Sequence, residues 1–106
     1  MGSYILVLGA EDCPNCPVAK MWCEKIARVL GIGFRYADVE KDEEARKMYM
    51  EAVERGYLGV PQIYLVCRGV PYFITNGLPD TVEDLVRIFS EMVRYYGIDL
   101  KRCAEA

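Results

Sequence analysis

No histidine occurs among the 106 residues of this chain. That absence removes every mechanism needing an imidazole base, including Ser-His-Asp and Cys-His nucleophilic sites, and every histidine-ligated metal site. Positive charge is also in deficit: 13 lysines and arginines face 16 aspartates and glutamates, a net charge of −3. Such a balance argues against nucleic acid or an anionic lipid surface as the main partner. The apolar opening Tyr4-Ile5-Leu6-Val7-Leu8 lacks a basic flank and is too short to span a bilayer, and leucine at position 6 misses the myristoylation pattern. No membrane association is expected, and the expected location is the cytoplasm, where a close cysteine pair is more often catalytic or metal-binding than a structural staple. Repeats, linkers and low-complexity runs are missing too. With 53% hydrophobic and 27% charged residues, the chain reads as one packed domain over residues 1–106 and a monomer. Chemistry is left to cysteine, carboxylate, lysine, tyrosine or backbone groups. The chain has five cysteines, an odd count that suits a disulfide scaffold poorly.

The pattern of apolar residues places the elements. Tyr4 to Gly9 is a continuous apolar run, as in a central strand covered on both faces. A helix is expected from about Pro14 to Leu30, with proline in its first turn and Gly31 as a left-handed C-terminal cap. Lys20, Glu24 and Arg28 form its solvated stripe; Ala19, Trp22, Cys23, Ile26 and Leu30 form its buried one. Phe34 to Val39 reads as a second strand. A second helix opens at Asp42 or Glu43, acidic at its start, and ends at Arg55-Gly56. Gln62 to Cys67 and Val70 to Thr75, joined by Arg68-Gly69, read as a hairpin, and Pro71 puts the last strand at a sheet edge. The last helix begins near Asp80 or Thr81, with Asp80 and Glu83 at capping-box spacing, and closes at Gly97. The order β-α-β-α-β-β-α implies a three-layer α/β sandwich around a four-stranded mixed sheet, its first two strands parallel and its hairpin antiparallel.

Cys13-Pro14-Asn15-Cys16 lies between the first strand and the first helix. A thiol at a helix N-terminus faces unpaired backbone N–H groups, here expected from Asn15 and Cys16, and the positive end of the helix dipole. Both favour thiolate over thiol. Two intervening residues let the sulfurs reach bonding distance, so Cys13 is expected to be exposed and to attack, and Cys16 to be sheltered and to resolve the mixed disulfide. Pro17 has no N–H, which delays the start of the helical ladder. Half a zinc site is the competing reading, although zinc wants four ligands and no second C-x-x-C is present. Cys23 and Cys67 read as small core residues, and Cys103, in the polar tail, as exposed and adventitiously reactive.

Gly59-Val60-Pro61-Gln62-Ile63 places a proline at the start of the third strand, where a trans peptide is the default for sequence alone. The combination of C-P-x-C, then V-P before a hairpin, then an N-G turn before the last helix, resembles the glutaredoxin branch of the thioredoxin superfamily over nearly the whole chain. The resemblance implies a thioredoxin-like fold and dithiol-disulfide oxidoreductase activity. It also implies a cis Pro61 lying against the cysteine pair, with the Val60 backbone pairing with a bound peptide or thiol substrate. Pro14, Asn15, Gly77 and Asp80 complete the substrate-binding set, and Asp80 with Thr81 falls where the family holds a γ-glutamyl group.

Departures from the family pattern set the expected partners. Glu11-Asp12 stands where glutaredoxins commonly carry a lysine, and Asn15 where they often carry an aromatic residue. Carboxylates beside Cys13 repel anionic glutathione and oppose thiolate formation. Protein disulfides are therefore the expected substrates, ribonucleotide reductase being one candidate, with a flavoprotein disulfide reductase or glutathione as electron donor. No tightly bound cofactor and no metal are implied; glutathione enters only as a co-substrate. A metal or iron–sulfur carrier using Cys13 is the alternative, and an interaction domain that merely keeps the fold is a third.

Overall fold

A computed structural model describes residues 2–105 of the chain. β1 (Tyr4–Gly9) is apolar throughout because both of its faces are covered. Ile5 and Val7 point into one core with Ala19, Cys23, Leu85 and Phe89, while Leu6 and Leu8 point into another with Ala45, Tyr64 and Val66. Each such aliphatic side chain contributes about 1.5–3 kcal/mol by leaving water. A one-residue slip of β1 would exchange the two sets, so its register is strongly specified.

Around β1 stand β2 (Gly33–Asp38), β3 (Gln62–Cys67) and β4 (Val70–Asn76), in the order β2-β1-β3-β4. β1 and β2 are parallel, with Tyr4 opposite Gly33; β1 and β3 are antiparallel, with Leu8 opposite Gln62; β3 and β4 form the antiparallel hairpin. Pro71 sits on the edge strand, as its missing N–H requires.

On one face lie α1 (Cys16–Leu30) and α3 (Val82–Tyr96), and on the other α2 (Glu43–Glu54). α1 buries Ala19, Cys23 and Ala27 at four-residue intervals, small side chains that let it lie close to the sheet. α3 buries Leu85, Phe89 and Val93 in the same rhythm. Gly31 and Gly97 end these helices in the left-handed conformation, as the sequence predicts. Asp42 caps α2 by accepting from the Ala45 N–H at 3.0 Å. The described residues thus form an α/β structure with a four-stranded mixed sheet and four helices.

Several boundaries differ from expectation for local reasons. α1 begins at Cys16 rather than Pro14, because residues 13–16 close a tight turn in which the Cys16 N–H donates to the Cys13 carbonyl at 3.3 Å. β2 starts and ends one residue early, since Gly33 already pairs with Tyr4. Thr81, not Asp80, caps α3: its hydroxyl accepts from the Asp84 N–H at 3.1 Å, so the expected Asp80–Glu83 box is not the cap.

The largest correction concerns the tail. Instead of an exposed polar end, the chain forms α4 (Leu100–Glu105), and Cys103 is only 1% exposed. Ile98 and Leu100 pack against the core and carry Cys103 over the end of β3, where it forms a disulfide with Cys67. Neither cysteine is therefore the isolated thiol that the sequence implies. A cross-link closing 36 residues of chain removes about 3–4 kcal/mol of entropy from the unfolded state. Cys103→Ser should lower unfolding stability by about that amount in urea melts followed by circular dichroism. A loss below about 1 kcal/mol would show that the Leu100 contacts already hold α4 in place.

Candidate functional site

β1 delivers the chain to the dithiol. After Gly9 it turns, the Cys13 N–H donating to the Ala10 carbonyl at 3.3 Å, and Cys13 and Cys16 are joined by a disulfide with their Cα atoms 5.4 Å apart. Exposure separates the two: Cys16 is 1% exposed, whereas Cys13 is only partly covered. Pro14 and Asn15 stand in solvent between them, and Asn15 occupies the N-cap position of α1 without a side-chain cap bond. Only part of the expected amide cradle is present, because the Cys16 N–H is already bonded to the Cys13 carbonyl. Pro17 brings no N–H, and the ladder proceeds with the Ala19 N–H to the Asn15 carbonyl at 3.0 Å. The positive end of the α1 dipole, close to Cys13, remains to favour its thiolate.

A distant segment completes the cluster. The Val60 carbonyl lies 3.7 Å from Cys13 Sγ, within reach of an S–H donor once the pair is reduced. The Val60–Pro61 peptide is cis, and Pro61 is buried. Gly77 follows β4 and donates its N–H to the Pro61 carbonyl at 2.7 Å. Cys13, Cys16, Val60, Pro61 and Gly77 are therefore gathered at one end of the sheet. Asp80 is exposed in the turn before α3, and among the described residues no hydrogen bond or ion pair joins it to this cluster.

Beside the sulfurs opens a cleft of about 330 Å³, lined by Cys13, Cys16, Glu11, Lys20, Tyr36 and Asp38 among others. The Lys20 ammonium stands 4.5 Å from the centroid of the Tyr36 ring. A Cβ at position 9 would clash with the Tyr36 hydroxyl and ring, so a larger residue there would displace Tyr36 from the cleft. Burial, and secondarily the Asp38 carboxylate, raise the Tyr36 phenol above its usual 10.0 and keep it protonated. Glu11 is not an uncompensated carboxylate: Lys41 approaches it at 3.8 Å, a weak exposed pair that trims the local negative charge. Sequence reasoning placed Lys20 in a solvated stripe and passed over Tyr36 and Asp38, because β2 is brought beside the motif only by sheet pairing.

Cys23 takes no part in this cluster. It lies in the core of α1, and burial raises its thiol from 9.0 to about 12. The proton is bound more tightly in the folded chain. The stabilisation is therefore complete below pH 9.0 and is lost as pH rises toward about 12. Native protein with both disulfides intact should leave Cys23 unlabelled by iodoacetamide at pH 8, with labelling appearing on unfolding. Rapid native labelling, read by mass spectrometry, would contradict its placement.

Among the described residues, no group of three or more Cys, Asp, Glu or His is gathered as metal ligands, and no helix is long and apolar enough to cross a membrane. The chain matches no protein-family model and no curated protein. Among solved structures it is similar to one described as a malarial protein, with a TM-score of 0.57 and 16% identity over 88% of this chain and 99% of that one. At that identity the likeness concerns the fold alone.

Proposed function

We propose that this chain is a dithiol-disulfide oxidoreductase with a glutaredoxin-like, thioredoxin-superfamily topology, and that it reduces protein disulfides. The observation that carries the reading is the unequal exposure of two sulfurs that have already bonded at the start of a helix. A partly exposed sulfur suits attack on a bulky substrate, and a sheltered one suits the intramolecular step. In the first exchange the Cys13 thiolate attacks one sulfur of the substrate disulfide, forming a mixed disulfide and expelling the other sulfur as thiolate. Cys16 then loses its proton and attacks Cys13 Sγ, forming the Cys13–Cys16 bond and expelling the second substrate thiolate. Two electrons pass from the dithiol to the substrate. A flavoprotein disulfide reductase or glutathione returns them.

Val60 presents its backbone beside Cys13, which supports pairing with an extended substrate segment. Cys16→Ser should trap a substrate protein covalently on Cys13, and Cys13→Ser should trap none, as read on non-reducing gels. The reverse pattern would exchange the two roles.

Charge near Cys13 favours the reductase over glutathione as donor. Asp12 is exposed beside Cys13 with no ion pair of its own among the described residues. Asp12→Lys should lower the Cys13 pKa, followed by thiolate absorbance, and raise glutathione-dependent turnover by about two- to tenfold. Equal turnover by the two chains would remove the charge argument and leave the exchange mechanism standing.

A further inference from the structure

Residues 58–60 carry the Val60 carbonyl to Cys13, yet among the described residues no backbone–backbone hydrogen bond reaches them. Backbone groups left without partners make a segment mobile, so what holds this one decides how it meets a substrate. Side chains from two separate elements supply the bonds, and a third holds Tyr57, just before the segment. Asn76, at the end of β4, donates its amide N–H to the Gly59 carbonyl at 2.9 Å. Tyr49, on α2, accepts from the Gly59 N–H at 3.3 Å, so both backbone polar groups of Gly59 are bonded to side chains. Gln62, fully buried at the start of β3, donates to the Tyr57 carbonyl at 3.3 Å, and its own oxygen accepts from the Tyr64 hydroxyl at 2.9 Å. That second bond fixes which end of the Gln62 amide faces the turn.

We propose that Asn76 and Tyr49 are positioning residues for disulfide exchange. By clamping Gly59 they hold the neighbouring Val60 backbone at the distance from Cys13 that a substrate strand requires. The assignment rests on the oxidoreductase reading and adds to it two residues that touch neither sulfur. A clamped edge loses less freedom when a substrate pairs with it, so its benefit falls on binding rather than on the sulfur chemistry. The clamp also has an electrostatic signature. The Val60 carbonyl, 3.7 Å from Cys13 Sγ, is placed to accept from the S–H once the pair is reduced, and such a bond favours the protonated thiol. Releasing the clamp draws the carbonyl away and lowers the Cys13 pKa, even as substrate binding weakens.

The test compares the wild-type chain with Asn76→Leu, which keeps the branched shape of the side chain but has no donor, and Asn76→Gln, which restores an amide. The substrate is a peptide disulfide, and the Cys13 thiolate is titrated by absorbance alongside. Asn76→Leu should raise KM about five- to tenfold with kcat held within about twofold, and its Cys13 should titrate lower than in wild type. Asn76→Gln should recover part of the lost affinity. An unchanged KM in Asn76→Leu, or a fall confined to kcat, overturns the assignment. Should that chain fail to fold, Tyr49→Phe removes the other half of the clamp and is judged by the same criteria. If the wild-type chain reduces no disulfide, the oxidoreductase reading itself has failed. A working wild type matched by Asn76→Leu removes only the clamp.

Discussion

The antiparallel pairing of β1 with β3, Leu8 opposite Gln62, decides where everything else can be. It lays the end of one strand beside the start of the other. The first leads into Cys13 and the second follows Val60 and Pro61, so two segments remote in sequence meet at one end of the sheet. Apolar burial holds that register: Ile63 and Leu65 share one core with Ile5 and Val7, while Tyr64 and Val66 share the other with Leu6 and Leu8. The energy that fixes the site therefore comes from core residues outside the Cys13–Cys16 turn.

Much of this was legible from pattern alone. The limits of β1 and β3, the edge position announced by Pro71, and the glycine closures at 31 and 97 follow from period and turn chemistry. The dithiol and the approach of Val60 were legible too, the latter through resemblance rather than spacing. What escaped depended on contacts between distant segments. Nothing in Lys101-Arg102-Cys103 reveals that Leu100 and Ile98 will fold that tail onto the core. The Thr81 cap was missed because Asp80 offered an equally plausible side chain one residue earlier. Tyr36 and Asp38 enter the cleft only because β2 runs parallel to β1.

The five cysteines fall into three environments, and surroundings rather than residue type separate them. Cys13 and Cys16 pair where a helix begins and solvent has access; Cys103, in a short helix, pairs with Cys67 at the end of β3; Cys23 is buried in the apolar core and keeps its proton. The odd count argued against a disulfide scaffold, yet two bonds form and the remaining sulfur serves as packing. Counting cysteines tests a framework only when each one can be placed.

The two bonds sit at opposite ends of β3, one beside its start and the other at Cys67. This gives the chain a mechanical polarity. A pull applied beyond Cys103 cannot peel α4 away as it would an ordinary terminal helix, because the sulfur link passes the load directly into β3. That strand is hydrogen-bonded on both sides, by β1 and by β4, so the force enters the interior of the sheet rather than its edge. Anything tethered at that end would hang from the interior of the sheet, on the side away from the exposed sulfur.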